Sequence, residues 1–238
     1  MLPLLQLLIA VFAIYGVIEF QEEVRLYVAL GCLVLMLVIS RIDKKKSENK
    51  TARKDFLKSE IDKFTRKESP IKELDFFTVE SLLWPKNELL LIDSVHSILK
   101  DLGFKVSTGI NYHSVDRIVR IPETEKAFGL EILLCDKEAD RTHPKILRAM
   151  QFEKEKKEKE KTFLLASTHV HLPLAEKSHV SHISRELADL LIRHKMSFMT
   201  THQLYELWQK AKGGEIDIFE TFQRIYSHPG GPFSLTQV

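Results

Sequence analysis

The chain has 238 residues, with 35 lysines and arginines against 33 aspartates and glutamates and a formal charge of +2. That length fits one domain of ordinary size with additional segments. The near-neutral balance gives no global argument for nucleic-acid binding, because the excess of basic residues is local. The two cysteines, Cys32 and Cys135, argue against a disulfide framework and fit a reducing compartment for most of the chain.

Two apolar segments lie at the N-terminus. Residues 2–18 and 26–39 are separated by the charged turn "EFQEEVR". A helix needs about 20 residues to cross a bilayer, and the second segment reaches that length if Arg25 and Arg41 extend to the two membrane surfaces. We therefore predict a transmembrane helical hairpin over residues 1–42.

The flanking charges predict the orientation of this hairpin. The cluster "RIDKKK" at residues 41–46 follows the second segment, whereas the turn between the segments is net acidic. Positive residues stay on the cytosolic side, so both termini are expected in the cytosol and the bilayer is an expected partner. Three alternatives stay open: a signal peptide, although residues 1–10 lack its positive start, a lipoprotein site at "LGC", and a hairpin buried in a soluble protein.

Residues 43–73 predict a charged linker helix. Its few apolar residues have helical spacing and form a narrow stripe that would pack on the body or on a second copy of the chain. The stripe consists of Phe56, Leu57, Ile61 and Phe64. A homo-oligomer is therefore expected.

Residues 74–212 alternate between helical and strand patterns. Apolar residues over 91–102 share one helical face, and Gly103 is a typical helix stop. Three strands follow, in "FKVSTG", at residues 114–121 and at residues 128–134. Their close succession predicts a meander or a hairpin.

The remaining elements complete an α/β pattern. A helix begins at Pro144 and is expected to continue into the charged run at residues 153–161 as a solvated face. The strand "TFLLAST", a further helix and the strand "SFMTT" follow, and Thr200 with Gln203 predicts a capping box for a last helix. The order α-β-β-β-α-β-α-β-α indicates an α/β domain with a mixed sheet, and residues 213–238 are predicted to form a C-terminal tail.

One carboxylate lies in the middle of the most apolar strand, "KAFGLEILLCD". Burying a charged Glu131 side chain would cost roughly several kcal/mol of folding free energy unless the carboxylate is paired, protonated or bound to a metal. Asp116 lies on the preceding strand, within "VDRIV". Buried carboxylates are usually paired, so a structural explanation is that Asp116 and Glu131 form ion pairs with Arg117 or Arg120.

The body resembles the restriction-endonuclease-like superfamily, with its PD-(D/E)xK motif, in particular Mrr-like bacterial domains. The resemblance covers about residues 89–211 and rests on a helix ending "DLGFKV", on "VDRIV", on "GLEI", and on the closing "MTTHQLYELW". It implies that Asp116 and Glu131 hold Mg²⁺ or Mn²⁺, with a lysine two residues after the glutamate assisting the attacking water. Leu133 occupies that lysine position.

The missing lysine leaves two kinds of function open, one without catalysis and one with it. In this superfamily the lysine sometimes moves to the following helix, where Lys145 or Lys154 would serve, with Gln151 assisting. The expected function is a catalytically degenerate, membrane-anchored module for interaction, sensing or oligomerisation with an unknown protein partner. The alternatives are an active metal-dependent nuclease acting on nucleic acid, as in defence against foreign DNA, and an oligomerising membrane-disrupting effector.

Four histidines raise a separate hypothesis. His169 and His171 are expected to share one strand face, while His179 and His182 are spaced for one helical turn. Two such pairs would make a zinc set. No cysteine or fixed loop spacing supports it, and the alternative is a polar, partly exposed loop around Pro173.

Overall fold

A computed structural model of the chain describes residues 22–65, 76–108 and 115–234. The chain divides into two units, Met1–Ser59 and Glu60–Val238. The candidate chemistry lies in the second unit.

Helix α1, Glu22–Thr65, joins the second predicted membrane segment to the predicted linker without a break. Neither proline nor glycine occurs between residues 32 and 65, so nothing in this stretch stops the helix. Five apolar side chains on α1 are 51–62% exposed: Leu30, Val34, Leu35, Leu37 and Val38.

No helix within the described residues has the length and hydrophobicity that a membrane crossing requires. Residues 2–18, the first half of the predicted hairpin, lie outside the described residues. The hairpin as a whole therefore stays a prediction.

The second unit is an α/β domain built on a six-stranded mixed sheet. The strands lie in the sheet in their chain order. β1 to β3 pair antiparallel as the predicted meander, and β3 to β6 pair parallel. The strands are β1 Lys105–Thr108, β2 Arg117–Arg120, β3 Ala127–Leu134, β4 Glu160–Ser167, β5 Ser197–Thr200 and β6 Gly231–Pro232.

Helices cover both faces of this sheet, and side-chain caps explain several of their boundaries. The predicted capping box of Thr200 and Gln203 is present. Asn87 accepts a hydrogen bond from the Leu90 N–H at 2.9 Å, and Gly103 follows its helix with φ +89°. The helices are α2 Phe76–Leu83, α3 Glu88–Asp101, α4 Pro144–Glu155, α5 Leu174–Lys177, α6 Arg185–Arg193, α7 Thr201–Lys212 and α8 Ile218–Ser227.

Alternate residues of β3 and β4 face two different cores. Leu133 pairs with Ala166 and belongs to a buried cluster formed with α4 and α6. On the opposite face, Leu130 and Leu165 line a small cavity together with residues of α3, α7 and α8. The side chain of Glu131, in register with Leu164, lies on the α4 face.

The charged run at residues 153–161 differs from its predicted form. Helix α4 ends at Glu155, and β4 begins at Glu160. The end of the run belongs to the sheet: Lys161 is only 6% exposed and pairs in register with Phe128. The prediction of a continuous, solvated helix through residue 161 was therefore wrong.

Residues 213–238, predicted as a tail, contain α8 and β6. The Phe222 ring lies 4.5 Å from Phe104 and 5.9 Å from Phe128, between ring centroids. The Lys161 ammonium donates to the carbonyls of Ile225 at 3.0 Å and Tyr226 at 2.9 Å, and also to that of His228. Apolar packing and a buried cation at the helix C-terminus hold this segment on the sheet.

Candidate functional site

The site lies where α4 crosses the middle of β3. Phe152 of α4 packs directly on Gly129 of β3, and a Cβ built at that glycine would overlap the phenylalanine ring. One helical turn earlier, Arg148 lies over Glu131, which is two residues further along the same strand face. The missing side chain at Gly129 lets the helix approach the strand closely enough for this contact.

Arg148 bridges the two carboxylates that the sequence singled out. Its Nε donates to Glu131 Oε1 at 2.6 Å, and its Nη2 donates to Glu131 Oε2 at 2.7 Å. The same Nη2 donates to Asp116 Oδ1 at 2.6 Å. The guanidinium therefore makes a two-point contact with Glu131 and joins it to Asp116.

Asp116 lies one residue before β2 and is fixed from three directions. Its Oδ2 accepts a hydrogen bond from the Ile132 backbone N–H at 2.9 Å and another from Lys145 Nζ at 2.6 Å. Its Oδ1 accepts from Arg148. The side chain is only 9% exposed, so these bonds replace the water that it loses on folding.

The ammonium group of Lys145 is surrounded by oxygen atoms, as a bound metal cation would be. Besides Asp116, its ammonium donates to the Ile132 carbonyl at 2.7 Å and forms an ion pair with Glu88 at the start of α3. The lysine side chain is 11% exposed. Two cations of α4 thus lie within a cluster of three carboxylates from α3, β3 and the start of β2.

Burial and charge act differently on the two central carboxylates. Burial raises the pKa of Glu131 to about 7; the Arg148 hydrogen bonds oppose that rise, and the nearby Asp116 charge adds to it. Burial acts in the same direction on Asp116, but the hydrogen bond and charge of Lys145 outweigh it and lower the pKa of Asp116. The hydrogen bond to Glu131 raises the pKa of Arg148, so the guanidinium stays charged.

The structure separates the predicted site residues. Asp116 and Glu131 lie together, and Lys145 joins them from the following helix. Lys154 is exposed, and Gln151 donates to Glu155 at 3.1 Å, so neither contacts the carboxylates. Leu133 is fully buried in the core against α4 and α6, which explains an apolar residue at that position.

The structural explanation is correct in kind, but it named the wrong arginines. Arg117 donates to the backbone carbonyl of Asp116 at 2.8 Å and lies 3.5 Å from Asp93, while Arg120 is exposed. Sequence analysis missed Arg148 and Glu88 as members of the site. The available signal for Arg148 was its spacing of three residues from Lys145 and four from Phe152, which puts all three near one helix face.

The oxygen atoms at the site are of the type that Mg²⁺ prefers: carboxylates and the Ile132 carbonyl. Each of the four oxygens of Asp116 and Glu131 is bound by Lys145 or Arg148. No group of three or more His, Cys, Asp or Glu side chains suited to a metal is found among the described residues. The arrangement therefore does not fit a divalent ion unless both cationic side chains move away.

The four histidines do not form the proposed zinc set within the described part of the chain. Strand β4 ends at Ser167, and His169 follows in a turn with φ +47°, so it does not share a strand face with His171. Its Nε2 donates to the Ser181 carbonyl at 2.7 Å, and His171 lies 3.4 Å from Asp136. His182 instead contacts the Thr168 hydroxyl at 2.6 Å.

Comparison with protein-family models, curated proteins and solved structures gives no significant match. Fold and site define an α/β domain with a six-stranded mixed sheet and a buried network of carboxylates and cations on one face of that sheet. The functional inference below starts from the chemistry of that network.

Proposed function

We propose that the second unit is a restriction-endonuclease-like domain in which Lys145 and Arg148 replace the catalytic metal. The domain then acts as an interaction or sensing module, held at the inner face of a membrane, and does not cut nucleic acid. The order of one helix, three antiparallel strands, a helix and a parallel strand supports the superfamily assignment. So does the pairing of Asp116 with Glu131 across neighbouring strands.

The observation that carries this proposal is the bridge formed by Arg148. A hydrolytic metal site needs carboxylate oxygens free to bind the ion and a cation placed against the reacting phosphate. Here the guanidinium takes one oxygen of Asp116 and both oxygens of Glu131 at 2.6–2.7 Å. The cations neutralise the carboxylates that would otherwise attract a metal.

Cleavage and metal-binding assays on one set of variants test this proposal. We expect the wild type to leave single- and double-stranded DNA and RNA uncut with Mg²⁺ or Mn²⁺ and to show no Mn²⁺-dependent rise in melting temperature. The double variant Lys145→Met/Arg148→Met, which removes both cations from Asp116 and Glu131, should bind Mn²⁺ measurably by calorimetry. Arg193→Met, a change of an exposed arginine on α6, is the matched control.

Metal-dependent cutting by the wild type would overturn the proposal if Asp116→Ala and Glu131→Ala both abolish it. That result would favour the second candidate, an active nuclease with Mg²⁺ or Mn²⁺ as cofactor and nucleic acid as substrate. The specific observation in its favour is Lys145, whose ammonium reaches Asp116 and the Ile132 carbonyl from the following helix. Lys145→Met would then remove activity, whereas the exposed Lys154→Met would not.

The membrane attachment is a separate part of the proposal. Its support is the exposed apolar stretch of α1, with Leu30 62% exposed and Leu37 58% exposed, followed by the basic cluster at residues 41–46. A reporter fused after Val238 should be active only in the cytosol. A signal from the opposite side would refute the orientation, and recovery of the full chain in the soluble fraction would refute the attachment.

Self-association is proposed on the same helix. Exposed apolar side chains of α1, such as Val34 and Leu37, suit a contact with a second copy of the chain, whereas Phe56 is half-buried and Leu57 is only 6% exposed within one copy. Native mass spectrometry of the full chain in detergent tests this, and a monomer at every concentration would contradict it.

A further inference from the structure

A cleft of about 300 Å³ opens at the amino ends of β3 and β4. It is bounded by Ala127, the first residue of β3, by the end of β2 with the turn that follows it, and by the loop between α4 and β4. Sites for small molecules begin at about this volume. None of the described residues that line the cleft belongs to the Arg148 network.

Two cationic side chains lie next to each other on the sheet at this cleft. Arg120 lines the cleft and is in register with Ala127 on one side and with Lys105 of β1 on the other. Side chains in such a register point to the same face of the sheet, with Cβ atoms about 4.5–5.5 Å apart. Both cations are exposed, so the described helices leave this part of the sheet face open to solvent.

This pair of like charges has no acidic partner among the residues that the structure describes. Neither Lys105 nor Arg120 forms an ion pair or a side-chain hydrogen bond there, whereas Arg117, at the other end of β2, lies 3.5 Å from Asp93. Like charges directly opposite each other destabilise a sheet. An anion bound between the two side chains would remove that repulsion.

The loop between α4 and β4 brings a third cation, Lys157, to the same cleft. Backbone hydrogen bonds fix this loop beside β3: the Ala127 N–H donates to the Lys159 carbonyl at 3.0 Å, and the Glu160 N–H donates to the Lys157 carbonyl at 3.0 Å. The Lys157 side chain has no acidic partner within the described ranges.

The carboxylates at the cleft are mostly occupied by other contacts. Glu125 forms an ion pair with Lys159, and Glu160 accepts a hydrogen bond from the Lys157 backbone N–H at 3.0 Å. Glu158 is the third carboxylate that lines the cleft, and its side chain is exposed. Three cations that lack acidic partners therefore outnumber the one carboxylate for which no such contact is found in the described part of the chain.

We propose that Lys105, Arg120 and Lys157 bind a phosphoryl group in this cleft. A guanidinium binds two phosphate oxygens at once, and ammonium groups add charge without a fixed geometry. A phosphoryl group fills only part of about 300 Å³, so the cleft has room for the molecule that carries it. That molecule would be a soluble phosphorylated compound or a lipid with a phosphate headgroup. The site does not depend on the Arg148 bridge.

Calorimetric titration of the full chain in detergent with inorganic phosphate, against chloride at matched ionic strength, tests the proposal. We expect one saturable site, and we expect Arg120→Met to weaken it by about tenfold because charge-assisted hydrogen bonds are lost. Arg120→Lys, which keeps the charge, should lose less. Arg193→Met, a change of an exposed arginine on α6, should bind as the wild type does.

Melting temperatures provide a second readout, which a pair of merely solvated cations would not reproduce. Phosphate should raise the melting temperature of the wild type, since a ligand stabilises the folded state that binds it. It should leave that of the double variant Lys105→Met/Arg120→Met unchanged. An equal rise in both proteins would overturn the proposal, and Lys157→Met, a change in an exposed loop residue, tests binding if the double variant does not fold.

Mixed micelles distinguish the two sources of the phosphoryl group. Binding of inorganic phosphate with no preference for micelles that contain phosphatidic acid over micelles of phosphatidylcholine indicates a soluble ligand. Tighter binding to phosphatidic acid that Arg120→Met weakens indicates a lipid headgroup. The proposal fails if phosphate has no effect beyond that of chloride, or if Arg120→Met binds phosphate as tightly as the wild type. The two cations would then serve only to keep the edge strand β1 from pairing with other chains.

Discussion

Glu131 is the residue on which the chemistry of the site depends most. Its side chain is fully buried, and Arg148 makes both of its ion-pair hydrogen bonds. Because burial raises its pKa to about 7, its protonation state changes within the physiological range. Protonation would remove one acceptor position and weaken the bridge to Arg148.

This shift predicts how stability depends on pH. The folded-state pKa of Glu131 lies above its ordinary value of 4.5, so its contribution to stability is complete below that value and is lost as the pH rises through about 7. A shift from 4.5 to about 7 corresponds to about 3 kcal/mol of unfolding free energy. Asp116, whose pKa is lowered, acts in the opposite direction and only in more acidic solution.

Urea denaturation between pH 5 and pH 8 measures this effect against Glu131→Gln. We expect the two proteins to be similar near pH 5, where both side chains are neutral, and the wild type to be less stable by pH 8. The exposed Glu138→Gln should follow the wild type throughout. A difference between wild type and Glu131→Gln that stays constant over this range would show that Glu131 does not titrate there.

Removal of Arg148 tests the ion pair itself. Breaking a buried pair usually costs roughly 3–5 kcal/mol. We expect Arg148→Met to cost about 2 kcal/mol at pH 8, since Glu131 avoids part of the cost by binding a proton and Arg148 is 36% exposed. At pH 8, Arg148→Met should cost less in the Glu131→Gln background than in the wild type, because no unpaired buried charge remains; an equal cost in the two backgrounds would contradict a direct pair.

At the scale of secondary-structure elements, the contact between Gly129 and Phe152 sets the separation of α4 from β3. Gly129→Ala would force the ring away, at a cost of about 2 kcal/mol for overpacking a tight core. Phe152→Leu should reduce that cost in the double variant. Chemical denaturation measures both, and Gly31→Ala, where no atom lies within 4 Å, is the control that should lose nothing.

If Phe152→Leu instead adds its own loss to that of Gly129→Ala, the ring does not limit the approach of the helix. Arg148 would then be held by other contacts, and the close approach would not be the reason that it reaches Glu131.

The strands of the sheet could be predicted from the sequence more completely than the helices that cover it. β3 and β4 are long apolar runs bounded by polar turns, so their positions could be predicted from the sequence. Helix α8 has an N-cap at Asp217 and apolar residues Ile218, Phe222 and Ile225 at helical spacing, but it is short and follows two glycines, residues 213 and 214, that are typical of the end of the preceding helix. This helix could be assigned only once the structure showed the core that its apolar residues cover.

The site, too, could be predicted only in part from the sequence. Asp116 and Glu131 could be placed together because consecutive antiparallel strands bring their residues side by side. The choice of Arg148 over Arg117 depends on which face of α4 meets β3, and that follows from the Gly129 contact. Such a contact between distant residues is not encoded in local spacing.

For the whole molecule, the division at residue 60 predicts that the second unit folds alone. The fragment 60–238 should be soluble without detergent and should unfold cooperatively in urea. The fragment 60–212 should not, since it loses Ile218, Phe222 and Ile225, whose burial contributes about 6 kcal/mol, comparable to the stability of an ordinary domain.

Far-UV circular dichroism of the two fragments gives the comparison. A cooperative transition for 60–212 close to that of 60–238 would mean that the C-terminal segment is dispensable for folding. Aggregation of 60–238 in the absence of detergent would mean that its apolar surfaces need the rest of the chain.

The chain order of the six strands has a consequence for the protein during its synthesis. Each strand leaving the ribosome finds its neighbour already made, so the sheet can grow strand by strand, through pairings between successive strands. The face that carries Phe128 and Phe163 stays uncovered by Phe222 until α8 emerges. A ribosome that stalls before α8 has emerged would therefore hold a nascent chain with an aromatic surface open to chaperones and to other unfinished chains.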